Sequence, residues 1–478
     1  MKKSLKILSG LLAVTLLVSG CQVGKKKVYS PKDPVSITIW TYYNGDQLMA
    51  FNGLVEEFND TVGKEEGIYV ESFSQGTVND LETTVMAAAQ GKVGADEVPN
   101  IFAAYSDTAY TVDQMGLLVD LDEYLTDKER ERYVDSYLDE GRFSDEGGIK
   151  IFPTAKSTEI LMVNRTDWEI FAQETGASYE DLKTMEGLVE VSRKYYQWTD
   201  SLTDEPDDGK AFFGRDAVAN YFLIGSMQLG TELFQVQDGK MTLNFEKETI
   251  RKLWDNFYVP FVKGYFAADG RFRSDDVKTG NILAFVGSTS GATFFPNQVI
   301  VSDTESYPIQ MEVLPCPRFD GGEKYAVQQG AGMVVTKGTE AEIQASVEFL
   351  KWFTQPERNI LFSIGSGYLP VTKEANSMEE IRKAKDTIDP IVENILEEAV
   401  ATVNENQLYT PRAFPKGSDA RSILEYSMSD KAMADREIVE GRIADGETME
   451  EAAAEFLTDE CFDAWYEETL SRLQECEG

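Results

Sequence analysis

Apolar and polar residues alternate over 35–40 (Val-Ser-Ile-Thr-Ile-Trp), the period of a half-buried strand. Leu48, Phe51, Leu54, Val55 and Phe58 then recur at helical spacing. Residues 68–73 read as a second strand. Asn79 with Glu82 predicts a capping box opening the next helix, and Gly91 predicts its end. Pro99-Asn-Ile-Phe-Ala-Ala gives a third strand, followed by Ser106-Asp107 and another helix. A strand is predicted between Glu159 and Asn164, then a long helical stretch to about Trp198. Residues 282–286 form a buried-type strand ending in Gly287-Ser-Thr-Ser-Gly291, and Met333-Val-Val is another. Thr339 with Glu342 makes a second capping box, with Ile343, Val347 and Leu350 on one face; Thr448 with Glu451 makes a third. From about Ser377 the chain is largely helical and acidic. Strand, loop and helix follow one another throughout, which predicts an α/β fold around mostly parallel sheet.

Length and composition narrow this picture. The chain has 478 residues, long for one core, so two or three lobes are expected. Its formal charge is −38, and a surface this acidic repels nucleic acid. No histidine is present, which excludes Ser-His-Asp and Cys-His nucleophile systems and histidine-containing zinc sites. Beyond Cys21 the cysteines are Cys316, Cys461 and Cys476, with no C-x-x-C pair. A Cys461–Cys476 disulfide and packed or free thiols both stay open. The stretch 200–209 carries five acidic residues and Pro206, but it lacks the spaced Asp/Asn ligands of a calcium loop and reads as a solvated loop. No metal and no cofactor are expected.

The amino terminus carries an address. Lys2, Lys3 and Lys6 precede a run over 7–18 that is apolar except for Ser9, Gly10 and Thr15. That run is short for a membrane span and suits the apolar region of a signal peptide. It ends in Leu17-Val18-Ser19-Gly20-Cys21, which resembles a bacterial lipobox. The resemblance implies cleavage before Cys21, acylation of its thiol and anchoring to the outer face of the cytoplasmic membrane, which takes two or more acyl chains to be firm. Removing residues 1–20 leaves 458 residues and, with three leader lysines gone, a charge of −41. Residues 21–34, with Lys25-Lys26-Lys27 and two prolines, read as a flexible tether. No other apolar run is long enough to span a membrane, so the remainder is expected to be soluble.

Several segments together resemble the extracellular solute-binding proteins of ABC importers, in the carbohydrate-type group. Ile37-Thr-Ile-Trp-Thr-Tyr-Tyr43 is similar to the family's opening strand and loop. Val98-Pro-Asn-Ile-Phe-Ala-Ala-Tyr105 with Met115-Gly-Leu-Leu-Val-Asp-Leu-Asp122 resembles its next signature. Phe152-Pro-Thr-Ala-Lys-Ser-Thr-Glu-Ile-Leu-Met-Val-Asn164 resembles the first crossing between lobes, and Gly367-Tyr-Leu-Pro-Val371 is a further hallmark. The resemblance implies a two-lobe periplasmic-binding-protein-like fold with a hinge and a central ligand cleft. The first lobe would hold 35–153 and 292–354, the second 154–291 and 355–478. Ligand in the cleft would draw the lobes together, and the loaded receptor, expected to be a monomer, would meet its ABC permease subunits.

Within that group the sequence is most similar to glycerol-3-phosphate-binding components. The resemblance implies ligand contacts at Ser157, Thr289, Gly330, Tyr368 and Arg421, a set of hydroxyl donors, bare backbone and guanidinium suited to an oxyanion. Val78 stands where the family has a tyrosine, and Ser106 where it has a glutamate for ligand hydroxyls. Gly214-Arg215 falls near an expected glycine–tryptophan, so a cation replaces an aromatic face. A phosphorylated polyol, a phosphodiester and a neutral sugar all fit as ligand. Tyr42 and Tyr43, after the first strand, are candidates to stack on a sugar ring, as alternatives to packing in the core. A secreted hydrolase using paired carboxylates is the competing reading, but with 83 acidic residues no spacing selects a pair. The chain is therefore expected not to be an enzyme.

Overall fold

The computed structural model describes residues 27–144 and 147–478; the leader and Cys21 lie outside them. The strand Val35–Thr41 follows the alternation read from its sequence, with Ile37 and Ile39 fully buried. It pairs in parallel with Ile68–Ser74 on one side and Ile101–Ala104 on the other. The later strand Gly332–Val335 closes this four-stranded sheet, antiparallel to Ile101–Ala104. The helix Gly45–Phe58 buries Phe51, Leu54, Val55 and Phe58 on the face that the periodicity selects. Their rings meet those of the helix Glu340–Phe353, with Phe58 and Trp352 centroids 5.2 Å apart.

The second sheet is built around Glu159–Asn164, every residue of which is buried. This strand runs antiparallel to both Ala284–Ser288 and Met311–Pro315, and Phe213–Arg215 joins Ala284–Ser288 in parallel. The second sheet is thus mainly antiparallel, against the expectation of mostly parallel pairing. Local periodicity marks strands but carries no information about direction. Behind this sheet the helices Val218–Gln228, Lys247–Val262, Gly417–Ala444 and Asp459–Gln474 enclose an aromatic core that includes Trp254, Phe257 and Trp465.

Three chain segments pass side by side between the sheets. Ser157 and Gln329 exchange backbone hydrogen bonds of 2.8 and 3.0 Å, and Lys156 pairs with Leu369 in the same way. Gly330 sits there at φ +97°, where an added Cβ would lie 3.0 Å from the Ala155 carbonyl. Only a glycine in the left-handed region lets these strands come so close.

The lobe boundaries differ from those expected. Residues 332–353 return to the first lobe, but Met311–Pro315 pairs into the second sheet, and Val299 and Ile309 join its core. The helix Pro356–Ser366, expected in the second lobe, packs on the first through Phe362. Other boundaries shifted for local reasons. Thr77, not Asn79, caps the helix Val78–Ala89, because its side chain accepts from the Asp80 amide while Asp80 accepts from Thr77. The stretch to Trp198 is two helices, Arg165–Thr175 and Met185–Asp200, parted at Gly176 with φ +72°. The tether is shorter than expected: Tyr29 is buried, the Val28 amide donates to Gln344 at 3.3 Å, and Lys27 pairs with Glu66. In the acidic loop Asp200 accepts from the Asp208 amide and Asp207 from the Met449 amide, so these carboxylates hold backbone. Cys316, Cys461 and Cys476 are free thiols.

Candidate functional site

A cavity of about 1340 Å³ opens between the lobes, lined at its back by two of the crossing segments, at Ser157 and Glu159 and at 327–329. The first lobe contributes Glu82, Tyr105, Ser106, Asp107 and Glu140 to its wall. Ser106 and Asp107 begin the helix Ser106–Gln114, which leaves the strand Ile101–Ala104 at its carboxyl end and so points into the cleft. The second lobe contributes Glu159, Asp216, Asn220, Tyr409, Arg412, Arg421, Glu425 and Tyr426, and a row of phenylalanines from Phe272 to Phe295. Seven carboxylates line the cavity against four cationic side chains.

Arg421 lines the cavity, and its Nη2 donates to Asn220 Oδ1 at 2.7 Å. Asn220 Nδ2 lies 2.9 Å from both Glu159 Oε1 and Gln329 Oε1. Glu159 is in turn ion-paired with Arg215, both nearly fully buried. Burial raises the Glu159 carboxyl above its ordinary range, and the Arg215 guanidinium opposes that shift. On the first-lobe side Lys156 Nζ holds Glu140 at 2.7 Å and the Gly330 carbonyl at 2.8 Å. Residues 156 and 159 therefore anchor one buried ion pair in each lobe.

Two further carboxyls on the wall are shifted. Burial pushes Asp107 up to about 6, with Arg421 working against the shift and Glu82 adding to it. Burial likewise pushes Asp216 up to about 6, opposed by the Arg273 amide and guanidinium. Glu425 accepts from the Val218 and Ala219 amides at 3.1 and 2.8 Å, occupying the free N–H groups that open the helix Val218–Gln228. The lobes already touch at one edge: a Cβ on Gly417 would lie 2.3 Å from Asp107 Oδ1, and one on Gly239 would lie 2.7 Å from the Tyr110 hydroxyl.

Of the residues singled out in the sequence as site positions, Val78, Ser106, Ser157 and Arg421 are on the wall. The others stand behind it. Tyr43 is 1% exposed and packs against Phe51 and Phe362, so it belongs to the first-lobe core. The Tyr42 hydroxyl lies 3.1 Å from that of Tyr368, and its ring stacks behind Tyr105, the tyrosine that does face the cavity. Arg215 is held by Glu159 rather than offered to a ligand. Gly330 serves the crossing strands, and Thr289 is fully buried, its amide donating to the Thr158 carbonyl. Asn220 and Glu159 were missed, although Asn220 is a lone polar residue within an apolar run (Val-Ala-Asn-Tyr-Phe-Leu), a sign of a buried polar role, and Glu159 directly opens another (Ile-Leu-Met-Val).

Comparison with known proteins agrees with this architecture. Residues 53–387 match the family model described as bacterial extracellular solute-binding protein. The chain is 23% identical over 362 residues to the maltotriose-binding protein of Pyrococcus abyssi, an alignment covering 74% of this chain and 70% of that one. The fold resembles that of the cyclic alpha-maltosyl-1,6-maltose binding protein from Arthrobacter globiformis, with a TM-score of 0.66 at 16% identity, covering 92% of this chain and 100% of the other. It also resembles UgpB from Mycobacterium tuberculosis, solved with glycerophosphocholine, with a TM-score of 0.62 at 19% identity, covering 86% and 99%. The two-lobe fold has counterparts in these solved structures, and with the match over 53–387 the chain belongs to the family of bacterial extracellular solute-binding proteins.

Proposed function

We propose that the protein captures a neutral oligosaccharide in the inter-lobe cleft and delivers it to the permease of an ABC importer, held at the outer face of the cytoplasmic membrane by lipid on Cys21. The observation that carries this reading is the composition of the cleft wall. The wall carries aromatic rings together with carboxylates and amides, the pairing that takes a sugar's apolar face and its hydroxyls. The cavity of about 1340 Å³ exceeds the usual range for drug-sized ligands, about 300–1,000 Å³, which favours several sugar rings over one. With Glu140 and Glu159 taken up in ion pairs, five carboxylates still face four cations, which disfavours a bare phosphate. The names of the maltotriose- and maltosyl-maltose-binding relatives support the same class. Ligand bridging Tyr105 and Asp107 to Arg421 and Tyr426 would stabilise the closed state by its differential affinity.

A phosphorylated polyol is the second reading, favoured by Arg412 and Arg421 on one wall and by the ligand of UgpB. Thermal-shift and calorimetric titrations with malto- and xylo-oligosaccharides, glycerol 3-phosphate and glycerophosphocholine separate the two. A rise in Tm with an oligosaccharide, recovered intact, supports the first reading. Binding of the phosphate compounds alone replaces it with the second, and turnover of the sugar overturns both. Cys21→Ala is expected to release the protein from membranes, and unchanged membrane fractionation contradicts the anchor.

A further inference from the structure

Asn220 stands where three separate parts of the molecule meet. It lies in the first turn of the helix Val218–Gln228 and is 1% exposed. The preceding Ala217 takes φ +49°, a left-handed conformation that alanine rarely adopts, so the chain turns sharply to bring this helix start to the cleft. The start is fixed from the helix Gly417–Ala444, where Glu425 takes the Val218 and Ala219 amides. One turn earlier on that helix, Arg421 donates to Asn220 Oδ1 at 2.7 Å. The amide nitrogen of Asn220 donates at 2.9 Å to Glu159, which Arg215 holds, and at 2.9 Å to Gln329. Gln329 lies on a crossing segment, its backbone paired with Ser157.

Every polar atom of the Asn220 side chain is therefore engaged, by the cleft arginine, by the second-lobe ion pair and by the hinge. A buried amide in this arrangement has one productive orientation. Reversing it would set its nitrogen against the Arg421 guanidinium and its oxygen against the Glu159 carboxylate. The guanidinium that Asn220 holds lines the cavity, and the strand carrying Gln329 is one that must deform when the lobes rotate.

We propose that Asn220 is a positioning residue that sets the direction of Arg421 in the cleft and couples that direction to the hinge strand at Gln329. Asn220 itself lines the cavity, and its role is to order groups that meet ligand. The affinity part of the test rests on the saccharide reading given above; the hinge part does not.

The test uses the full chain with Asn220→Ala, Gln329→Met, Arg421→Ala and the Asn220→Ala/Arg421→Ala double variant, each checked for cooperative unfolding. Without ligand, hydrogen exchange is expected to quicken at 155–158 and 327–331 in Asn220→Ala, with Val35–Thr41 unchanged. Gln329→Met removes only the hinge end of the contact and is expected to reproduce this effect, which keeps the test available if Asn220→Ala does not fold. With maltotriose as probe, Asn220→Ala is expected to lose about tenfold in affinity, the scale of one hydrogen bond to a charged group. The double variant is expected to lose no more than Arg421→Ala alone, because Asn220 acts through Arg421. Unchanged exchange at both segments overturns the coupling, and additive losses in affinity overturn the positioning role. If the unmodified protein binds no maltotriose, support for an oligosaccharide of that type falls, and hinge exchange decides the coupling by itself.

Discussion

The two lobes bring different chemistry to the same cleft. The first offers three carboxylates, Glu82, Asp107 and Glu140, with Tyr105 as its one aromatic ring on the wall. The second offers all four cations and every other wall aromatic, including the exposed Phe272, Phe294 and Tyr426. On the proposed saccharide reading, an apolar sugar face would have its contact area on the second lobe even when the cleft is open. The first lobe would add acceptors for hydroxyls on closing. Such asymmetry separates capture from closure: second-lobe changes should alter affinity, and first-lobe changes should alter how far the lobes shut.

The largest effect is expected where the lobes are most alike. Each holds one buried ion pair beside the crossing, Lys156–Glu140 in the first and Arg215–Glu159 in the second. Removing one partner leaves an uncompensated buried charge, so Glu140→Ala and Glu159→Ala should each cost about 3–5 kcal/mol in urea unfolding. A loss below 1 kcal/mol in only one of them would show that the hinge leans on one lobe. Next comes Arg421→Ala, expected to weaken oligosaccharide binding by about 1.5–3 kcal/mol through loss of a charged donor. Unaltered affinity by calorimetry removes Arg421 from the site. Tyr426→Ala on the second lobe should cost about 0.5–1.5 kcal/mol in binding. An equal or larger loss from Glu82→Gln on the first lobe would break the division between capture and closure.

Stability should also slope with pH. Burial raises Asp107 and Asp216 to about 6, above the unfolded value near 4. Between these values the native state holds protons that the unfolded chain has released, so stability falls as pH rises from about 4 to about 6. Asp107→Asn and Asp216→Asn should each flatten that slope, as read by denaturant unfolding at several pH values. A slope unchanged in both variants would mean that neither carboxyl is held protonated.

The first lobe was more legible in the sequence than the second. Val35–Thr41, Ile68–Ser74 and the helix Gly45–Phe58 were marked by alternation and by helical spacing because each has one wet and one dry face. Glu159–Asn164 was visible as an apolar run, but nothing local disclosed that Met311–Pro315 would pair with it from about 150 residues away. The capping boxes at Thr339 and Thr448 appear as read, since their partners are three residues apart. The wall of the cleft was only partly legible for the same reason. Ser157 and Arg421 came from family resemblance, whereas Asp107, Asn220 and Glu425 act through partners on other elements. Tyr43 stayed open in the sequence because a tyrosine after a strand fits a core and a stacking face equally well, and its neighbours Phe51 and Phe362 place it in the core.

The central claim is that two chemically unlike lobes close on a neutral oligosaccharide. Small-angle scattering during titration with malto- and xylo-oligosaccharides, with the sugar recovered and analysed afterwards, tests it most directly. The account expects a saturable fall in radius of gyration with the sugar returned intact. An unchanged radius at saturating sugar, or a hydrolysed product, would contradict it.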